Sequence, residues 1–192
     1  MRLALLTILL AGPVAPVASE PKPMSPDEVP SSLAPLVARA NAAADFLRER
    51  LYGRLNEALQ ENGPANAVDV CRTEAPRLSK EAGDAHHVEI GRTSHKVRNP
   101  ANAPRAWAAS YVKAAGGKKG ADVKPVVMDL GDRIGLLRPI AATPACTRCH
   151  GPIEGIDAAV RGSIAAGYPQ DQATGFTPGD LRGFIWVEVK KR

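Results

Sequence analysis

Aromatic residues are scarce in this 192-residue chain: Phe, Trp and Tyr together make 4%, against 44% for the whole hydrophobic set. The core must therefore be built from Ala, Leu, Val and Ile. Long apolar runs are missing too. After the first dozen residues no stretch approaches the ~20 apolar residues that a membrane span needs, so none is expected in the mature chain. Charge of one sign is never blocked: 25 Lys and Arg and 20 Asp and Glu, formally +5, are scattered along the chain. That distribution argues against nucleic acid as a partner, while a pI near 9.3 is compatible with acidic ones. Cysteine is limited to three residues, and no second C-x-x-C or H-x3-H exists, which leaves a four-ligand zinc site without its other half. No internal repeat is visible.

What is present begins with an export signal. Arg2, the apolar run 3–11 and the small residues Val17-Ala18-Ser19 read as a cleavable signal peptide over residues 1–19, cut after Ser19. The mature chain of about 170 residues is the size of one domain and is expected in the periplasm or otherwise outside the cytoplasm. Losing Arg2 leaves it at +4, one less than the +5 of the full chain.

In such a compartment Cys146-Thr147-Arg148-Cys149-His150 reads as a covalent haem attachment site. Two thiols two residues apart can each add to one haem vinyl group, and the histidine that follows is then held beneath the iron as a nitrogen ligand. One haem c is the expected cofactor, and a buried porphyrin would supply the flat apolar bulk the composition lacks. A redox dithiol usually opens a helix after a strand. Here Pro144 and Gly151-Pro152 bracket the motif as a loop. Cys71 is then an odd thiol in an oxidising compartment, either a buried inert residue or a ligand.

Along the chain, residues 20–32 hold four prolines and no apolar period, and read as an extended linker. Leu36, Ala40, Ala43, Leu47, Leu51, Leu55 and Leu59 recur at helical steps, and Asn62-Gly63-Pro64 ends that long helix. A second helix runs to about Lys80, before Gly83, with Val68, Cys71, Ala75 and Leu78 on one face. Residues 87–93 alternate as a strand. Residues 94–104 form a structured loop, where Arg92, Lys96 and Arg98 with Asn99 and Asn102 fit either a solvated basic loop or a site for the haem propionates. A short helix over 105–115 puts Trp107 and Tyr111 on one face. Strands follow over 123–130 and 133–142 about a Gly131-Asp132 turn, then a helix over 156–166 and a last strand over 184–189. This order gives an α+β domain with an antiparallel sheet.

Several stretches together resemble a bacterial family, the haem c domains of PAS-like fold found as exported single proteins and as sensor parts of histidine kinases. They are Ala67-Val68-Asp69-Val70-Cys71 with Ala75-Pro76; Gly91-Arg92-Thr93-Ser94; Arg98-Asn99-Pro100 with Asn102, Pro104 and Trp107; residues 146–151; Tyr168-Pro169 with Asp171, Ala173 and Gly175; and Arg182-Gly183. The resemblance covers residues 33–192. It implies a PAS-like sheet flanked by helices, with the long first helix at its N-terminal side. It also implies iron bound by His150 on one side and the Cys71 thiolate on the other.

The leading expectation is an exported c-type cytochrome, not an enzyme, that senses redox state or a small gas such as nitric oxide or carbon monoxide, or that transfers electrons. Either role requires a separate redox or signalling protein partner. A peroxidase-like haem enzyme is the alternative from another class. It would need an open iron position with an acid–base group, for which His86, His87 and His95 are available. A binding module without haem is the third.

Overall fold

The computed structural model describes residues 21–191; the signal-peptide reading lies outside them. Five antiparallel strands form one sheet in the order β1-β3-β4-β5-β2. They are β1 (Pro23–Met24), β2 (Glu89–Thr93), β3 (Val126–Asp129), β4 (Arg133–Ala141) and β5 (Leu181–Lys190). Five α-helices accompany them among the described residues: α1 (Ala34–Glu61), α2 (Gly63–His86), α3 (Ala109–Ala115), α4 (Thr147–His150) and α5 (Ala158–Gly167). The expected α+β class with an antiparallel sheet and a long first helix is what the chain adopts.

Strand alternation divides the core. On one face Ile134, Leu136, Ile185, Val187 and Val189 meet Ala40, Ala43, Ala44 and Leu47 of α1 and Leu78 and Ala82 of α2. On the other, Val126, Met128, Leu137 and Phe184 meet Val112 and Ala115 of α3, with Trp107 and Tyr111 packed against them. The alanines let α1 lie close to the sheet, as a core poor in aromatics requires. A third cluster ties Val68 of α2 to Val160 and Ile164 of α5, so α2 bridges the sheet and the segment that carries the C-x-x-C-H motif.

Three sequence expectations are corrected. Residues 21–32 are not an extended linker: Pro23 and Met24 pair with Met128 and Val127 at the sheet edge, and Met24, Val29 and Leu33 pack on the main core. An edge strand tolerates a proline that donates nothing, and three spaced apolar side chains suffice to seat the arm. The domain thus begins before residue 33. α2 does not stop before Gly83 but continues to His86. There Gly83 serves close packing, since a Cβ would lie 2.8 Å from the Val88 carbonyl oxygen. Finally, residues 147–150 form a helical turn, not a loop.

Candidate functional site

The helical turn gives the motif its geometry. His150 N–H donates to the Cys146 carbonyl at 2.9 Å, closing an i to i+4 bond, so Cys146, Cys149 and His150 fall on one side of the turn. Gly151 ends it because a Cβ there would come within 2.5 Å of the Thr147 carbonyl oxygen. All three side chains line a cavity of about 1120 Å³ whose other walls come from α1, α2, β2, β4 and β5. Cys71 lines the same cavity from the middle of α2. It belongs to none of the hydrophobic clusters among the described residues and forms no disulfide. Thus two segments 75 residues apart, at Cys71 and Cys146, bring all three thiols and one imidazole to one space.

His150 is prepared as a ligand. Its Nδ1 lies 2.7 Å from the Ala173 carbonyl oxygen. A carbonyl only accepts, so Nδ1 carries the proton and the Nε2 lone pair is left free. Burial, joined by the positive charge of Arg182 and Arg98, holds its pKa well below the ordinary value, and the ring is neutral at physiological pH. Burial also pushes up the Cys71 thiol, against the pull of Arg92, Arg98 and Arg182.

Of the basic residues expected around the cofactor, Arg92, Arg98, Asn99 and Asn102 all line the cavity. Their tasks differ. Arg98 is already engaged: its Nε and Nη2 reach the two Asp171 carboxylate oxygens at 3.1 Å each, and Nη2 also donates to the Cys149 carbonyl at 2.6 Å. The Nε and Nη2 edge of its guanidinium is therefore occupied by Asp171 and the Cys149 carbonyl. Asn99 caps a short turn by accepting from Ala101 N–H. The Asn102 main-chain carbonyl accepts from Thr93. Arg92, by contrast, makes no hydrogen bond or ion pair among the described residues, and burial lowers its pKa. Sequence reasoning missed Arg182 as a site residue. It lines the cavity beside Arg92, lies over the Phe176 ring, and is pushed down to about 10 by burial and by Arg98 and Arg92. The signal was the Arg182-Gly183 pair within the resemblance.

Of the remaining histidines, only His87 lines the cavity, and it is exposed. His86 stands edge-on to Phe46 and His95 edge-on to Phe176. Met128 is core and Met24 is seated on it. Among the described residues no group of three or more His, Cys, Asp or Glu side chains is arranged to hold a bare metal ion, and no helix is long and apolar enough to cross a membrane.

The residues present fit a haem. The cavity is of the size that takes a large planar ligand, two thiols and an Nε2 lone pair meet on one side of a turn, and two guanidinium groups stand without a carboxylate partner. An α+β domain with a cavity of this kind defines the class. The profile of the Tll0287-like family matches residues 22–190, and the chain belongs to that family. The crystal structure of the cyanobacterial haem protein Tll0287 is similar to it, with a TM-score of 0.59 at 23% identity over 85% of this chain and 98% of that one, a likeness that bears on the fold. No match was found among curated proteins.

Proposed function

We propose that this is an exported protein carrying one haem c, joined through Cys146 and Cys149, with His150 and Cys71 as iron ligands, and that it acts as a redox or small-ligand sensor or an electron carrier. The observation that carries the reading is the meeting of Cys71, Cys146, Cys149 and a neutral, Nδ1-protonated His150 on one cavity. Arg92 and Arg182 would neutralise the propionates, in place of the Arg92 and Arg98 pair read from the sequence. Haem, when bound, supplies a one-electron iron couple, and a thiolate ligand favours the ferric form. The chain's own contribution is to fix the imidazole tautomer, to bury the thiol that the ferric charge would deprotonate, and to surround it with positive charge. The enzyme reading draws no support from His86 or His95, which stand away from the cavity wall.

Pyridine haemochrome analysis and a haem stain on a denaturing gel test attachment. Haem should stay on the chain and should be weakened or lost from it in Cys149→Ser; haem that leaves freely into acid acetone overturns the thioether reading. Cys71→Ala should keep the haem but convert a low-spin ferric spectrum to a high-spin or water-ligated one and raise carbon monoxide affinity. An unchanged ferric spectrum would take Cys71 off the iron.

A further inference from the structure

Behind His150, on the side away from Nε2, lies a closed set of polar contacts that the ligand reading does not use. The Ala173 carbonyl oxygen accepts from His150 Nδ1 at 2.7 Å, and Arg98 Nη2 approaches the same oxygen at 3.4 Å. The Ala173 N–H donates to Asp171 Oδ1 at 2.8 Å. Arg98 spans both Asp171 oxygens and the Cys149 carbonyl. The ion pair is nearly buried, with side-chain exposures of 10% and 9%. The two peptide groups on either side of the Ala173 Cα are thus held, the preceding one at its N–H by the carboxylate and the following one at its carbonyl by the guanidinium, while the same guanidinium holds the carbonyl of the residue before His150.

We propose that Arg98 and Asp171 are positioning residues for His150: they clamp the backbone on both sides of Ala173 and the Cys149 carbonyl in one frame, so that the imidazole is locked with Nδ1 protonated and Nε2 presented to the cavity. The inference deepens the ligand reading of His150 and rests on it for its purpose. The geometry has a physical reason. A loop carbonyl free to turn would leave a buried imidazole N–H without an acceptor, which is unfavourable, and the ring would then sample its other tautomer. A buried bidentate pair bonded to two backbone carbonyls and, through Asp171, to a backbone N–H removes that freedom. Metal-bound histidines are commonly oriented by such outer contacts.

The test follows the exchange of the His150 ring proton with solvent by ¹H–¹⁵N correlation spectroscopy on the full mature chain as purified, whether or not it carries haem. A failure of the haem reading therefore leaves this measurement standing. The Trp107 indole proton, which bonds to Glu188 at 2.8 Å on the other face of the sheet, serves as the internal control. Arg98→Leu and Asp171→Leu should speed exchange at His150 about fivefold or more, the equilibrium worth of one ordinary hydrogen bond, with Trp107 unchanged. Asp171→Asn keeps an oxygen for the Ala173 N–H and should restore most of the protection. Arg98→Lys, milder if the leucine variants fail to fold, should lose an intermediate amount, because one ammonium cannot reach both carbonyls and the carboxylate. Unchanged exchange in whichever of Arg98→Leu, Asp171→Leu and Arg98→Lys folds, or equal acceleration at Trp107, overturns the proposal and leaves the pair as a general fold contact. In holoprotein the Arg98→Lys variant, its charge retained, should still shift the midpoint potential; a potential that stays fixed while the fold is intact also counts against the clamp.

Discussion

Two arginine-rich regions lie in this small domain, and only one of them is balanced. On the α3 face of the sheet, Glu188 accepts from Arg105 Nε at 2.7 Å, Trp107 Nε1 at 2.8 Å and Arg133 Nη1 at 3.0 Å. Glu89 joins both arginines. Burial pushes the Glu188 carboxyl up, but its three donors outweigh that and leave it below the ordinary range. In the cavity, Arg92, Arg98 and Arg182 surround Cys71, Asp171 is taken by Arg98, and two guanidinium groups are left over. A closed network of this kind holds a fold together. An open one, with positive charge in a lined space, is what the proposed binding of haem propionates would use.

The largest expected effect is on the balanced side. Glu188→Leu should lower stability by about 2 kcal/mol, because it leaves a part-buried indole N–H without its acceptor and takes one carboxylate partner each from Arg105 and Arg133, which keep Glu89. Urea unfolding measures it, and a loss of less than about 1 kcal/mol would mean that the two regions do not differ in kind. Next comes pH. In the haem-free chain His150, and less centrally His95, have pKa values lowered by burial, so below the unfolded value near 6.5 the unfolded chain takes protons that the folded chain refuses. Stability is therefore full above that pH and falls as the pH drops towards the folded pKa values, at a slope approaching about 1.4 kcal/mol per pH unit for one histidine. His150→Gln should remove most of the slope between pH 6.5 and 5, whereas Glu188→Leu should leave it in place. A slope that persists in His150→Gln assigns the proton to another group.

Arg92→Met should stabilise the haem-free chain by less than about 1 kcal/mol, since it removes a half-buried cation that lines the cavity without a carboxylate partner, and should weaken retention of non-covalently offered haem. A destabilised variant would show that Arg92 is already compensated and would erase the contrast. Smallest of all is the exposed Lys80–Asp84 pair. Lys80→Ala should change stability by less than about 0.5 kcal/mol, a scale against which the other shifts are read.

The two regions also differ in how far the sequence discloses them. Trp107 and Tyr111 at a four-residue spacing told of a packed face, and Val126, Met128 and Leu137 fell where strand alternation puts them. The partners of Glu188, at Arg105 and Arg133, carried no sequence signal, because their meeting depends on strand register across β4 and β5. Around the cavity the motif Cys146-Thr147-Arg148-Cys149-His150 and the odd Cys71 were legible, and the structure brings them together. The division of labour among the arginines was not. Arg98 looked as free as Arg92 until Asp171, 73 residues further on, was seen to occupy its fork.

The sequence by itself determined the α+β class, the long helices, the positions of four of the five strands and the Cys146-Thr147-Arg148-Cys149-His150 motif. Each of these follows from local period, turn residues or a short motif, whose physics acts over a few residues. Only the tertiary structure decided that residues 21–32 join the sheet edge, that Cys71 faces a cavity and not a hydrophobic cluster, that Ala173 fixes the tautomer of His150, and that Arg182 joins Arg92 and Arg98 on the cavity wall. Those outcomes depend on which distant segments share a buried space, where a side chain's available partners, more than its own chemistry, set its task.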